Sequence, residues 1–429
     1  MSHDSIPARF AATSGDIASA AMSSMFDMTL GSRLTFAERL DPDVLSRAVR
    51  LLLDLEPVLG CWYHETLRNA EWVRCADGEV PFRMAESSDL DRDAAAFHAI
   101  PFDRRGPRLA ALLLRSARHD ELCVRFDHVA GDGWSAKEVA HLLAETYTHL
   151  LEDPGFVPAP RLSPRPSHAD VWNAMSEEQR ASAARPMPMA MSKWRMKSCA
   201  GAGSTFMVRS LGLSADRVSA LRAHAHEQGA TVNEALIAAL VRAAASIFPP
   251  QPGVKPGVSI SADPRRFAQE RTLDRICCVA TTQTVLMDYR HGESFDETLQ
   301  HVVEGVKPHR DSLWSIGSTQ TSTPRPVLLR AIFGLMVGSL RLLHGMALVT
   351  MNWGPFDEER LAFGEARPVA AVALGPIPRF PGFAVTITSY RDALTLSMGF
   401  RETYIAAGLI ERCLDGIDEQ LQAAQQSAA

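Results

Sequence analysis

At 429 residues the chain is long enough for two lobes with separate cores, and 46% hydrophobic with 22% charged residues describes a folded rather than a disordered protein. A formal net charge of -6 is modest and gives no reason to expect nucleic-acid binding. The seven cysteines form no CxxC pair and Cys277 adjoins Cys278, a pattern that suits neither a usual disulfide nor zinc spacing and predicts reduced thiols in a cytoplasmic setting.

The first residues contain no apolar h-region, so no secretory signal is expected. Residues 32–36 alternate like a strand. Asp41-Pro42-Asp43 then offers an N-cap, a proline at the first helical position and an acid in the first turn, ahead of Val44, Leu45, Ala48, Val49 and Leu52 at helical spacing. Strands are predicted over 61–75 and 79–84, a short helix over 89–97, and another strand at the end of 101–114.

The run 121–150, ELCVRFDHVAGDGWSAKEVAHLLAETYTHL, carries the most information. Leu122, Val124 and Phe126 alternate as in a half-buried strand. A turn-rich break, Asp127 to Gly133, follows, and Val139, Leu142, Leu143 and Tyr147 then mark a helix. Ser135 is the expected N-cap, with Glu138 completing a capping box. A histidine therefore sits where a strand gives way to a helix, a place that can present one side chain to a cavity.

Strand, HHxxxDG and helix form the signature of the condensation-domain and chloramphenicol acetyltransferase-like superfamily, which includes polyketide-associated, wax-ester and plant acyltransferases. DHVAGDG resembles it, with His128, Asp132 and Gly133 in place and Asp127 where the first histidine would stand. The stretch LTFAERLDPDVLSRAVRLLLDLEPVLGCWY is similar to the family's opening strand and helix, and Phe102-Asp103 with Gly106-Pro107 to a strand lead-in.

Beyond residue 150, seven prolines between Pro154 and Pro188 flank a predicted helix around 169–182. Proline resists both helix and sheet interiors, so 154–204 reads as a crossover between an N-terminal lobe, 1–153, and a C-terminal lobe, 205–429. A strand is predicted over 205–213. Ser214 caps a helix, and Thr231 starts another whose TVNEALIAAL resembles a condensation-domain helix. Ser261-Ala262-Asp263-Pro264-Arg265 is similar to a family strand ending in D-x-R. A strand over 278–287 and a helix over 294–307 follow.

The apolar stretch 327–351 is interrupted by Arg330, Arg341 and His344, too often for a membrane span, and reads as a buried or tunnel-lining helix with a membrane-surface helix as the alternative. Residues 350–355, TMNWGP, resemble the loop after the family's long apolar helix. Strands over 384–390 and 393–400 and a helix from 404 close the chain.

The resemblance implies an α/β fold: two chloramphenicol acetyltransferase-like lobes, each a mostly mixed sheet flanked by helices, with an active-site tunnel between them. It implies an acyltransferase that takes an acyl group from a thioester of coenzyme A or of an acyl or peptidyl carrier protein. The group passes to a small alcohol or amine, as in natural-product biosynthesis, with an ester slightly favoured. No metal and no tightly bound cofactor are called for.

His128 would be the general base, since an imidazole with an unperturbed pKa of about 6.5 suits proton removal near neutrality. Adjacent side chains in extended backbone diverge, which argues against an Asp127–His128 dyad. By the resemblance, Asp132 and Gly133 are structural, with Asp132 pairing Arg265 of the other lobe in a buried bidentate contact. Asn352 is the oxyanion candidate. Asp127, Trp134 and Trp353 are tunnel candidates, and 327–343 is core or an acyl channel.

Two alternatives stay open: a lipid-type, wax-ester-like synthase, and a catalytically silent module that binds a carrier protein. No GxxxxGK[ST], HExxH, GxSxG or GxGxxG motif occurs, and His224 and His226, two apart on a helix, read as solvent-facing.

Overall fold

The computed structural model describes residues 6–427 except Asp77, Glu79 and residues 186–191, 197–198, 268–272, 315–324 and 343–344; side chains of 425–427 are also outside the description. Pro186, Pro188, Leu343 and His344, named above, lie outside the described residues.

The N-terminal half begins with β1 (Arg9–Ala11), α1 (Ser14–Met22), β2 (Phe26–Asp27), β3 (Thr29–Phe36) and α2 (Pro42–Leu55). Helix α1 was not expected from the Ala/Ser-rich opening. It starts on a capping box in which Thr13 and Asp16 satisfy each other's backbone N–H groups. Asp41 caps α2 by accepting from the backbone of Asp43 and Val44, and Leu45, Ala48, Val49, Leu52 and Leu53 form the buried stripe. Each such leucine contributes about 2 kcal/mol by leaving water.

Next come β4 (Cys61–Glu65), β5 (Ala70–Arg74), β6 (Phe82–Glu86), α3 (Leu90–Ala99), β7 (Leu109–Arg115), β8 (Asp120–Asp127) and α4 (Gly133–Glu152). The crossover holds two short helices, α5 (His168–Asn173) and α6 (Glu177–Ala183), where one was predicted. Met175-Ser176 separates them because Ser176 caps α6 with its own capping box.

The C-terminal half contains β9 (Phe206–Leu213), α7 (Ala215–Glu227), α8 (Val232–Ile247), β10 (Gly257–Ala262), β11 (Thr281–Leu286), α9 (Phe295–Asp311) and α10 (Pro326–Leu342). It ends with β12 (Ala347–Pro355), β13 (Ala370–Leu374), β14 (Ile377–Pro378), β15 (Gly382–Tyr390), β16 (Ala393–Arg401) and α11 (Ala407–Ser427). Thr231 and Glu234 form the capping box of α8, whose side chains are buried on nearly every face against α11 and the sheet.

Two mixed sheets dominate. One is ordered β13-β3-β8-β7-β6, the other β11-β10-β12-β15-β16-β9. The first takes its edge strand β13 from residues 370–374, paired antiparallel to β3. Its core likewise includes Val349, Met351, Trp353 and Phe363 from the distant half of the sequence.

Strand β8 is buried on both faces rather than on one. Its carboxylates are accommodated because each is paired with an arginine. Asp120 accepts from Arg39 and Arg115, Glu121 from Arg33, and Asp127 from Arg108, while Arg125 lies over the rings of Phe97 and Phe102.

Residues 350–355 are not a loop. Strand β12 runs through them to Pro355, and its register shifts between Asn352 and Gly354, where Gly354 takes φ +70°. Helix α10 is neither buried nor core. Val327, Leu328, Ile332, Leu335 and Leu342 are exposed, and only one edge, through Val337, packs on Phe26, Met28 and Phe380. His224 is buried, 2% exposed, with Nε2 at 2.9 Å from Asp296; only His226 faces solvent. No group of three potential metal ligands occurs among the described residues, and no single described helix is long and apolar enough to cross a membrane. All seven cysteines are unpaired.

Candidate active site

His128 follows the last residue of β8 directly. Its backbone N–H donates to the Met28 carbonyl at 2.8 Å, which ties the start of the turn to the chain just before β3. Helix α4 then begins at Gly133 with Asp132, not Ser135, as the N-cap; Glu138 is held instead by Arg360. The turn is therefore shorter than the sequence suggests, because a carboxylate can accept from N3 and from an arginine at once.

The imidazole is half-buried. Its Nδ1 lies 3.3 Å from Ser19 Oγ and 3.9 Å from Cys278 Sγ. The Ser19 hydroxyl donates its proton to the His128 carbonyl at 2.7 Å, so the serine oxygen offers Nδ1 a lone pair. That arrangement suits the tautomer with its proton on Nδ1 and its lone pair on Nε2. Burial lowers the pKa of His128 from its ordinary 6.5, opposed by hydrogen bonding to its own and the Gly131 carbonyl and by the charges of Asp132 and Asp127. Burial raises the Cys278 thiol well above its ordinary value, so it stays protonated beside the imidazole.

Asp127 points elsewhere. Its Oδ2 accepts from Arg108 at 3.1 Å and its Oδ1 from the Val129 N–H at 3.0 Å. Asp132, 1% exposed, accepts six hydrogen bonds. Oδ1 takes the Ser135 N–H at 3.2 Å, the Ser135 hydroxyl at 3.1 Å and Arg265 Nη1 at 3.2 Å. Oδ2 takes Arg265 Nη1 at 2.9 Å and the N–H groups of Val279 and Ala280, both at 3.0 Å. The pairing with Arg265 is thus not a two-nitrogen fork: one guanidinium nitrogen bridges both oxygens, and Nη2 turns to the Cys277 carbonyl at 3.0 Å. Burial opposes ionisation of Asp132, but Arg265 and these donors outweigh it and hold the carboxyl below its ordinary 3.8.

Residues 276–280 press against the motif from the opposite side. The Cys277 carbonyl lies 2.9 Å from Ser135 Oγ, where it shares that hydroxyl proton with Asp132, and the Asp132 N–H donates to it at 3.3 Å. Backbones come so close that a Cβ on Gly15 would lie 1.7 Å from the Cys278 carbonyl oxygen. One on Gly133 would lie 2.6 Å from the Trp353 indole nitrogen, so that glycine provides space for Trp353 rather than an unusual φ. Trp353 is part of the N-terminal core, whereas half-buried Trp134 carries the Arg265 guanidinium 4.6 Å above its ring.

Asn352 is exposed. Its Nδ2 donates to Asn233 Oδ1 at 3.2 Å and its Oδ1 accepts from the Gly354 N–H at 2.8 Å, the latter bond bracing the bulge in β12. A surface cleft bounded by Arg50, Arg74 and Cys75 includes none of these residues.

Sequence reading missed Ser19, Cys278 and the buried pair Asp16–Arg165. Arg165 donates to both Asp16 oxygens, at 2.6 and 3.0 Å, and to the carbonyls of Ala130 and Ile276, joining α1, the motif and residues 276–280. The capping-box spacing of Thr13 and Asp16 could have revealed α1. Nothing in the spacing of Arg165, between Pro164 and Pro166, could have revealed its partners.

In any reaction that uses His128 as a base, Ser19→Ala is expected to lower kcat by roughly ten-fold at unchanged KM, because a misplaced base loses rate without losing substrate affinity. Steady-state kinetics of the two proteins would check this, and an equal rise in KM would remove Ser19 from any positioning role.

No family model matches the chain, and no curated protein matches its sequence. Solved structures do match along nearly its whole length. Polyketide synthase associated protein 5 from Mycobacterium tuberculosis is 16% identical at a TM-score of 0.68, over 97% of both chains. The trichothecene 15-O-acetyltransferase from Fusarium sporotrichioides is 12% identical at 0.66, over 97% of this chain and 95% of that one. The starter condensation domain of rhizomide synthetase, in complex with C8-CoA, is 15% identical at 0.64, over 97% and 95%. Identities this low establish a common fold.

Proposed function

Because the chain has the two-lobe, mixed α/β fold of condensation domains and chloramphenicol acetyltransferase-like acyltransferases, we propose that it transfers an acyl group from a thioester to an alcohol or amine, with His128 as general base. The observation that carries this reading is the contact of Ser19 with His128: with its proton given to the His128 carbonyl, the serine oxygen stands as an acceptor 3.3 Å from Nδ1, which favours a lone pair on Nε2. Nε2 takes the proton of the acceptor O–H or N–H as the acceptor's lone pair attacks the thioester carbonyl carbon. The tetrahedral intermediate expels the thiolate by breaking the C–S bond, and the imidazolium returns its proton to that sulfur.

The complex of a similar fold with C8-CoA supports coenzyme A as the donor's carrier, with a phosphopantetheine arm on a carrier protein as the other source of the same thioester. The 15-O-acetyltransferase supports an oxygen acceptor. Asp127 is engaged by Arg108 and so adds no free carboxylate beside His128, which supports an active enzyme over a silent carrier-binding module. Asn352 is held at the bulge of β12, so its service as oxyanion donor requires its amide to leave Asn233. We place the lobes at 1–153 and 205–429 around the 154–204 crossover, with β13 returning to the first sheet, and take the setting to be cytoplasmic.

Thiol release with product mass, from short and long acyl thioesters of coenzyme A and of a carrier protein offered with pooled alcohols and amines, tests the reading. Release that requires an acceptor supports it; no release from either donor class with any acceptor overturns it.

The rate should rise with pH and level off with a midpoint below 6.5, since only the neutral imidazole accepts a proton and burial favours that form. A kcat/KM profile between pH 4 and 8 would read the midpoint (about the range in which a histidine titrates). A rate that falls as pH rises through this range would assign the titrating group to another role.

A further inference from the structure

Helix α10 turns an almost wholly apolar face to the outside. Leu328, Ile332, Leu335 and Leu342 lie along one line of the helix and are 58, 45, 74 and 79% exposed; Val327, at 44%, adjoins them. Ala331, Gly334 and Gly338 fill the same side, and Ser339 is its one hydroxyl. Scattered exposed leucines are ordinary, but a face running the length of a helix marks a contact site. At 17 residues the helix is about 25 Å long, which is less than the roughly 30 Å hydrocarbon layer, so it can lie along a bilayer but not cross it.

The surroundings are basic although the chain as a whole is acidic at -6. Arg325 precedes the helix and Arg330 and Arg341 stand within it, all exposed. Arg330 binds Glu65 at 2.8 Å, which joins α10 to the β4–β5 hairpin, whose tip carries Leu67, 77% exposed, and exposed Arg68. Arg341 donates to the carbonyl of exposed Arg379, and exposed Arg195 bridges Gly345 just past the helix. Among the described residues, only Glu65 forms an ion pair with this collar.

We propose that α10 and the adjoining hairpin tip dock on an anionic phospholipid surface, with the leucines at the headgroup–acyl boundary and the arginines at the level of the phosphates. Charge argues against a second copy of this chain, which would set two positive collars against each other. A water-soluble acidic partner would find one hydroxyl and no charged group on the outward face of the helix. α10 also packs on α1, the helix that carries Ser19, so docking brings the His128 side of the molecule toward the lipid. The docking itself does not depend on the acyl-transfer reading.

The test is co-sedimentation of the full chain, without acyl substrates, with vesicles of phosphatidylcholine and of phosphatidylcholine mixed with phosphatidylglycerol. Expected is binding to the mixed vesicles that weakens with salt. L328S/L335S should lower the partition coefficient at least about ten-fold, and R325Q/R379Q about five-fold at low salt. Unchanged circular dichroism and melting of both variants would show that these exposed positions leave the fold intact. Failure to bind mixed vesicles, binding indifferent to L328S/L335S, or a dimer in sedimentation equilibrium that L328S/L335S dissociates would each overturn the proposal.

Discussion

His128→Ala is expected to lower acyl transfer by roughly 10²- to 10⁴-fold, the range spanned by a positioned general base. The loss should fall on kcat, because in the proposed mechanism the imidazole acts on the acceptor proton as the carbonyl is attacked and contributes little to holding the donor. Thiol release at saturating thioester would measure it. The fold should be untouched: the ring is half-buried, and the backbone bonds from His128 N–H to Met28 and from Ser19 to the His128 carbonyl do not involve the side chain. A melting temperature close to that of the unchanged protein would separate lost chemistry from lost structure. Transfer that persists in a folded His128→Ala protein would end the proposed mechanism, and Asp127 could not be summoned as a substitute, since Arg108 and the Val129 N–H already occupy it.

Asp132→Ala should act in the opposite way, on stability first. Truncation leaves the buried Arg265 cation with only the more exposed Asp263 as counter-charge and strips acceptors from the N–H groups of Ser135, Val279 and Ala280. Removing one partner of such a buried pair costs about 3–5 kcal/mol. The denaturant midpoint would report it. The double variant Asp132→Ala/Arg265→Ala should lose less than the sum of the two single changes, because the orphaned charge is gone.

The sign of the pH dependence follows from the same geometry. The folded carboxyl is held below its ordinary 3.8, so the stabilisation from Asp132 is complete above that value and is lost as pH falls through the folded pKa. Normal stability with lost transfer in Asp132→Ala would show instead that the carboxylate takes part in the reaction.

Periodic and capping signals made much of the architecture legible. Asp41-Pro42, Ser214 and Thr231 with Glu234 mark helix starts through local hydrogen bonds that the sequence itself supplies. The misreadings share a cause. β8 alternates like a half-exposed strand, yet its polar face is covered because arginines from elsewhere in the chain neutralise it. Helix α10 has the composition of a core helix, and composition does not reveal whether a neighbour covers it. His224 stands on a helix of low apolar content, but Asp296 from α9 gives it a buried partner.

By itself the sequence determined the DHVAGDG turn between a strand and a helix, the chemistry an imidazole there can perform, and the succession of helices and strands, because each rests on neighbours within a few residues. Only the tertiary structure decided what stands beside Nδ1 of His128, since Ser19 lies 109 residues away in the chain. It decided too that Asp132 is closed by Arg265, Val279 and Ala280, and that Arg165 clasps α1 to the motif. Long-range hydrogen bonds of this kind leave no period or spacing in the chain; they exist only once two sheets and their crossover have brought the donors and acceptors together.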